Sequence, residues 1–406
     1  MIQQFLTLSL IVALLSNCAL PVDTGTSRRD APASLTQVGP DTGNKPKPSS
    51  NVVTVSDEMA SSSPSAPSSG QSSHVALLVP QSGKHQALGQ ALAESAALSL
   101  ARLPEGNRLR LSVMDSATLS QSTAKAMKDR ILKDNVNLVI GPVFAEQAQI
   151  LRATLAETPN APPLIAFSNT TSIASPPLFV AGFDPFAEIL TATKALAMQG
   201  GCHVLILPAT KAGYAMEPAL KETLNTKGAR ILGMMYYQDA SFKDLAPTLS
   251  QAASSTAGCT PTPSGNAFTT VVALSGTPLK AVLSALETTN SDVITPALVP
   301  PTTRPVFFAD VDRRVWEEVQ RYYQQTLGRD AARLDVIAYD MVSLAGYLAQ
   351  SGEDAGTALK NPAGFSGLVG LFRFQAGGTI ERTLAVYKKD QGQVELITPA
   401  AQRFAP

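Results

Sequence analysis

Val75-Ala76-Leu77-Leu78-Val79-Pro80-Gln81-Ser82-Gly83 is an apolar run that stops at a proline and opens, through three small or polar residues, onto an Ala- and Leu-rich segment. A run that is apolar at every position, and not at alternate ones, is what a strand buried on both faces requires. Strands of that kind belong to parallel sheets covered by helices. The spacing therefore predicts a strand over 74–79 followed by a helix over 83–101.

The same alternation continues in both directions from there. A strand over 109–114 ends at Asp115, a helix over 118–133 carries the stripe Ala124, Met127, Ile131 and Leu132, and a strand over 137–140 is stopped by Gly141-Pro142. A helix over 145–157 and a strand over 164–167 follow. After Gly182-Phe183-Asp184-Pro185 a second series begins: helix 186–199, strand 203–207, helix 215–227, strand 230–237, helix 242–252, strand 267–275, helix 279–287 and strand 306–308. Residues 296–305 are Pro-rich and read as a surface crossing, and helices are expected over 315–327 and 331–350. Leu371 to Phe374, a turn at Ala376-Gly377-Gly378-Thr379 and Arg382 to Tyr387 read as a β-hairpin. About 330 organised residues exceed what one hydrophobic core usually serves, so two α/β lobes are expected.

Toward the N-terminus the pattern is different. The apolar run over 5–15 is about 11 residues long, whereas a helix needs roughly 20 to cross a bilayer. It suits the apolar core of a signal peptide, although Met1-Ile2-Gln3-Gln4 supplies no Lys or Arg. Leu15-Ser16-Asn17-Cys18 resembles the processing site of bacterial lipoproteins, in which the cysteine is acylated, with Asn17 standing where Gly or Ala is usual. Plain secretion and a retained short helix are the alternatives. Residues 18–73 then hold Lys45-Pro46-Lys47-Pro48 and a Ser- and Pro-rich run over 61–70, compositions that cannot bury enough apolar area to offset the ordering cost. The expected organisation is a signal peptide over 1–17, a lipidated N-terminus and disordered linker over 18–73, lobe one over 74–184, lobe two over 185–308, a return to lobe one over 309–370, and a lobe-two hairpin and tail over 371–406.

The run at Val75 opening onto a helix, Val139-Ile140-Gly141-Pro142, Pro163-Leu164-Ile165-Ala166-Phe167-Ser168-Asn169, Leu334-Asp335-Val336-Ile337-Ala338-Tyr339-Asp340 and the terminal hairpin together resemble the type I periplasmic binding proteins. The likeness is to the leucine/isoleucine/valine-binding class, and in particular to its lipoprotein branch of penicillin-binding protein activators. It implies an α/β fold of two lobes, each a parallel sheet flanked by helices, with three crossings between them, a C-terminal β-hairpin and a ligand cleft.

In open parallel sheets ligands meet the carboxyl ends of the strands. That rule and the resemblance nominate the same loops of lobe one: Gln81-Ser82-Gly83, Asp115, Phe144 and Ser168-Asn169-Thr170. The amino-acid-binding relatives hold a ligand carboxylate in the first and last of these. The competing reading is that these residues only cap helices or fill turns. Across the cleft stand Lys211, Tyr214 and Asp310; Asp310 is the candidate acceptor for a ligand ammonium and Tyr214 a cover for an apolar side chain. Gly213-Tyr214 reverses the Tyr-Gly order of those relatives, and Lys211 is an added charge that also fits a solvated helix start.

Signs of catalysis are missing. The three histidines, His74, His85 and His203, make no metal spacing with Cys or Glu, and Ser82-Gly83-Lys84 lacks the upstream glycine of a phosphate loop. No cofactor or metal is expected. The formal net charge of +0 and the lack of a basic stripe argue against nucleic acid. Of the three cysteines, Cys202 and Cys259 each precede a strand of lobe two; they are either a disulfide, if those strands are neighbours, or two separate thiols.

Three functions fit the resemblance. The first is a non-catalytic envelope lipoprotein that regulates peptidoglycan synthases, with Ala19 after the cysteine favouring the outer membrane. The second is a solute-binding lipoprotein that delivers an amino acid or similar polar molecule to an ABC importer. The third is a small-molecule sensor. The expected partners are the membrane through Cys18, an envelope protein such as a synthase, and a small molecule in the cleft.

Overall fold

The computed structural model describes residues 73–104, 109–238 and 245–404. Cys18, the expected signal peptide and the linker up to residue 72 lie outside the described residues.

Lobe one begins with β1 (His74–Val79), α1 (Gln86–Leu100), β2 (Arg110–Asp115), α2 (Ala124–Lys133), β3 (Leu138–Ile140), α3 (Ala145–Leu155), β4 (Leu164–Ala166) and β5 (Leu178–Val180). The five strands form an all-parallel sheet in the order β2-β1-β3-β4-β5. The unbroken apolar run at its centre is explained by its two faces. Val75, Leu77 and Val79 pack with Leu92 and Ala96 of α1, whereas Ala76 and Leu78 pack on the opposite face with Ile131 of α2 and Leu151 of α3.

The chain then runs through α4 (Pro185–Leu196), β6 (Cys202–Pro208), α5 (Lys211–Asn225), β7 (Arg230–Tyr237), α6 (Leu245–Ser254), β8 (Phe268–Val272), α7 (Gly276–Leu286), β9 (Ser291–Ile294), β10 (Val306–Asp310) and α8 (Arg313–Leu327). It continues with α9 (Arg333–Ser351), α10 (Ala355–Ala358), β11 (Phe365–Gly367), β12 (Gly370–Phe374), β13 (Ile380–Arg382), β14 (Ala385–Asp390) and β15 (Gln393–Thr398). The lobe-two sheet has the order β15-β14-β10-β9-β8-β6-β7, parallel from β7 to β10 and antiparallel at β14 and β15. Because β6 and β8 are neighbours, Cys202 at the start of β6 meets Cys259 on the chain leading to β8, and the two form a disulfide with Cα atoms 5.6 Å apart.

The segments near the crossings differ from the sequence expectation. Val319 and Tyr323 of α8 are buried in the lobe-two core, so the chain expected to return at residue 309 stays with lobe two until α9, whose Ile337, Met341 and Val342 join lobe one. The expected hairpin is divided. β12 pairs with β13 and packs on lobe one through Phe372, Phe374 and Ile380, whereas β14 leaves to pair with β10 and with the unexpected strand β15. The physical reason is alternation of partner: Leu384 and Val386 find their apolar neighbours in the lobe-two core, two residues after Arg382 is spent on lobe one. The lobes are thus joined at 181–184, 328–332 and 383–384. Among the described residues no helix is long and apolar enough to cross a membrane.

Candidate functional site

The carboxyl ends of β1, β2, β3 and β4 lie along one edge of the lobe-one sheet, which brings the loops nominated from sequence into a row. Asp115 is the centre of the first pair. Its Oδ1 accepts the N–H groups of Gln81 and Ala117, each at 2.8 Å, and its Oδ2 accepts the Ser82 hydroxyl at 2.6 Å. Burial acts to raise this carboxyl, but the Ser82 hydroxyl and the N–H groups of Ala117, Gln81 and Ser82 together hold it below the usual carboxylate range. Gly83 opens a short 3-10 turn at φ +70, a left-handed conformation that suits glycine. Phe144 stands at the N-cap of α3 with its ring 4.8 Å from that of His85. Ser168 is buried, and its Oγ accepts the N–H of Thr170 at 3.0 Å, leaving Asn169 and Thr170 exposed at the rim.

In lobe two Thr210 caps α5 by accepting the Gly213 N–H at 3.2 Å, so Lys211 and Tyr214 project from the first turns. Lys211 is exposed and Tyr214 is 54% exposed, with its ring 4.5 Å from Tyr236. Tyr236 and Lys221 both donate to Glu217 beside them. Asp310 does not share this setting. Its Oδ1 accepts from Arg333 Nη2 at 2.5 Å and from the Val311 N–H at 2.8 Å. Burial pushes the Asp310 carboxyl up, against the pull of Arg333.

Arg333 leads to a cluster that the sequence reading did not assemble. Its Nη1 donates to Glu188 Oε1 of α4 at 2.7 Å, and Glu188 Oε2 accepts the Ala297 N–H at 2.9 Å. The guanidinium lies 4.8 Å from the Phe183 ring, and that of Arg382 lies 4.8 Å from the same ring. Arg382 in turn pairs with Asp340 at 3.4 Å, their side chains only 6% and 1% exposed, while Leu368 N–H donates to Asp340 Oδ1 at 2.7 Å. Phe183 belongs to the first crossing, Arg333 follows the second and Arg382 precedes the third. All three crossings therefore meet at one aromatic ring held between two guanidinium groups. In the sequence Phe183 stands where the second series begins and Asp340 ends the run from Leu334; Arg333, Arg382 and Glu188 carry no such mark, because each looks like an ordinary solvated charge on its own helix or strand.

A free amino acid needs donors for its carboxylate and an acceptor for its ammonium. The first-loop donors of lobe one already have a carboxylate, that of Asp115. A second carboxylate placed about 4 Å away would meet a repulsion of about 4 kcal/mol near a protein surface. Asp310, the acceptor expected in lobe two, is bound to the Arg333 guanidinium. Among the described residues no group of three His, Cys, Asp or Glu side chains is placed to hold a metal ion.

A model of the periplasmic binding protein family matches residues 72–393. Comparison with curated protein sequences gives no match. Similar solved structures include a putative branched-chain amino acid ABC transporter from Rhodospirillum rubrum, 16% identical over 80% of this chain and 100% of that chain, with a TM-score of 0.62. A solute binding protein of an ABC transporter from Rhodopseudomonas palustris BisB5, in complex with 3,4-dihydroxybenzoic acid, is 17% identical over 82% of this chain and 97% of that chain, with a TM-score of 0.54. The LpoA (YraM) C-domain from Haemophilus influenzae, a regulator of PBP1A, is 17% identical over 80% of this chain and 99% of that chain, with a TM-score of 0.56. At such identities the likeness to each is one of fold. With a parallel sheet in lobe one, a mainly parallel one in lobe two, three crossings that meet at Phe183 and a family match over most of its length, the chain belongs to the type I periplasmic binding proteins.

Proposed function

We propose that this protein is a non-catalytic lipoprotein of the bacterial envelope, anchored through Cys18 in the outer membrane, whose binding-protein fold regulates a peptidoglycan synthase and does not carry an amino acid. The observation that supports this reading most is the engagement of Asp115 by Ser82, Gln81 and Ala117, which fills the carboxylate subsite with a group of the chain itself. The Arg333–Asp310 pair acts in the same sense on the ammonium side. The LpoA C-domain, described as a regulator of PBP1A, is a precedent for such a role on this fold.

Asn169 and Thr170, exposed on the same rim, favour a second reading in which a small polar solute other than an α-amino acid binds there for an importer. The test is a binding measurement between the full chain and the periplasmic region of a class A penicillin-binding protein from the same cells, run beside an importer permease. Saturable binding to the synthase region, with a change in its glycan polymerisation rate, is expected. Binding to the permease alone would overturn the proposal.

A further inference from the structure

After its three crossings the chain crosses between the lobes a fourth time. β15 forms one edge of the lobe-two sheet, and Ala400 still packs with Phe308, Ala385 and Tyr387 of that lobe. Four residues later Phe404 lies on lobe one. Its ring is 4.5 Å from the Arg373 guanidinium of β12, and it approaches Gly364 so closely that a Cβ there would stand 2.7 Å from a ring carbon. Arg373 is itself held by Glu381 Oε2 at 2.7 Å and by the Pro362 carbonyl at 3.0 Å. The path from Ala400 to Phe404 can extend to about 14 Å at most, so these two attachments cannot separate far.

A second set of contacts ties the lobes away from the Phe183 cluster. Leu98 of α1 packs against the lobe-two core, to which Val319 and Tyr323 of α8 belong. The Arg102 guanidinium, just beyond α1, lies 4.2 Å over the Tyr322 ring of α8. Arg329, in the second crossing, donates to Glu94 at 3.2 Å and to the Ala91 carbonyl at 3.0 Å on α1, and to Asp335 of α9 at 2.8 Å. The Ser95 hydroxyl of α1 donates to the same Asp335 carboxylate at 3.0 Å, a bond within lobe one that fixes the group Arg329 holds. Hinged domains move by changing a few dihedrals at their crossings while the other contacts between them slide or part. Here those other contacts are a leucine of α1 packed on the lobe-two core, a guanidinium over a ring of α8, and a short length of chain fixed at both ends.

We propose that residues 399–404 are a strap that, with the contact of α1 on α8, holds the two lobes at one angle, so that the protein acts as a rigid body and not as a trap that closes on a ligand. The strap is a property of the chain itself and stands whichever partner the protein meets.

The test is a pulsed electron spin resonance distance measurement on the full chain carrying Cys18→Ser, with labels on Lys84→Cys of lobe one and Ala212→Cys of lobe two, both exposed positions. One narrow distance distribution is expected. In Phe404→Ala, and in a chain ended after Thr398, the distribution is expected to broaden and gain a longer component. If the shortened chain fails to fold, Phe404→Ala decides alone, since it removes a single half-buried ring. A distribution already broad with the strap intact, or one left narrow by Phe404→Ala, would overturn the proposal.

Discussion

Lobe one and lobe two begin alike and end differently. In each, a buried strand stops at a proline whose carbonyl presses on a glycine in the helix that follows. A Cβ on Gly89 would stand 1.7 Å from the Pro80 oxygen, and one on Gly213 would stand 1.9 Å from the Pro208 oxygen. The backbone solution is therefore the same in both. The chemistry placed on it is not: lobe one folds its loop inward onto Asp115, whereas lobe two caps its helix with Thr210 and leaves Lys211 and Tyr214 in solvent. One backbone frame can thus carry a site whose polar groups are spent internally and one whose groups remain free.

The largest expected effect lies where the two lobes join. Asp340→Ala leaves the buried Arg382 without its carboxylate and should cost about 3–5 kcal/mol in urea unfolding, because an unpaired buried charge is expensive. Replacing both partners by apolar residues, Asp340→Leu with Arg382→Met, should cost much less. An equal loss in the single and double variants would show that packing against Phe183, and not charge, holds the hinge.

The parallel between the lobes is sharpened by Gly89→Ala and Gly213→Ala. Alanine normally improves a helix by about 1 kcal/mol over glycine. Here the added carbon meets backbone oxygen, and each substitution should instead destabilise by about 1–3 kcal/mol. A gain at one site and a loss at the other would break the equivalence.

Acid should separate the lobes next. His203, on β6 of lobe two, is 1% exposed, and burial pushes its imidazole down to about 4. The unfolded chain binds a proton here that the folded chain does not. Stability from this group is therefore complete above the ordinary value of 6.5 and falls as the pH drops from there toward 4, by up to about 1.4 kcal/mol per pH unit. His203→Leu should remove that slope, read as the difference between the two unfolding curves across this window. A difference that does not change with pH would refute the assignment.

The smallest effects belong to the two rims. Ser82→Ala takes a donor from Asp115 and should cost about 1 kcal/mol at neutral pH, less than a buried charge-assisted bond because the hydroxyl is exposed. The folded-state value of Asp115 lies below 3.8, so this contribution is present above 3.8 and is lost as the pH falls through the lower folded value. Lys211→Ala, at an exposed helix start, should stay within about 0.5 kcal/mol.

The central strands and the order of the two series were legible because a strand buried on both faces leaves an unbroken apolar run, as at Val75 to Val79. β9 was not legible, since it opens with Ser291 and Asp292, polar residues that are nonetheless buried; Asp292 accepts from Asn266 at 2.6 Å and Ser291 from Arg304. β5 is only three residues long and follows Pro176-Pro177, and so looks like a loop. The strand ends that share one edge of the lobe-one sheet could be named from the sequence, but not what their side chains pair with. That Asp115 turns onto Ser82, and Asp310 onto Arg333, depends on contacts between residues 33 and 23 positions apart. No local pattern records such pairings.

The most direct test of an amino-acid site that is internally satisfied is calorimetry of leucine, isoleucine and valine titrated into the full chain at neutral pH. No saturable heat is expected for any of the three. Binding that is lost in both Ser168→Ala and Asp310→Ala, with the fold intact, would contradict the account and make the cleft a working amino-acid site.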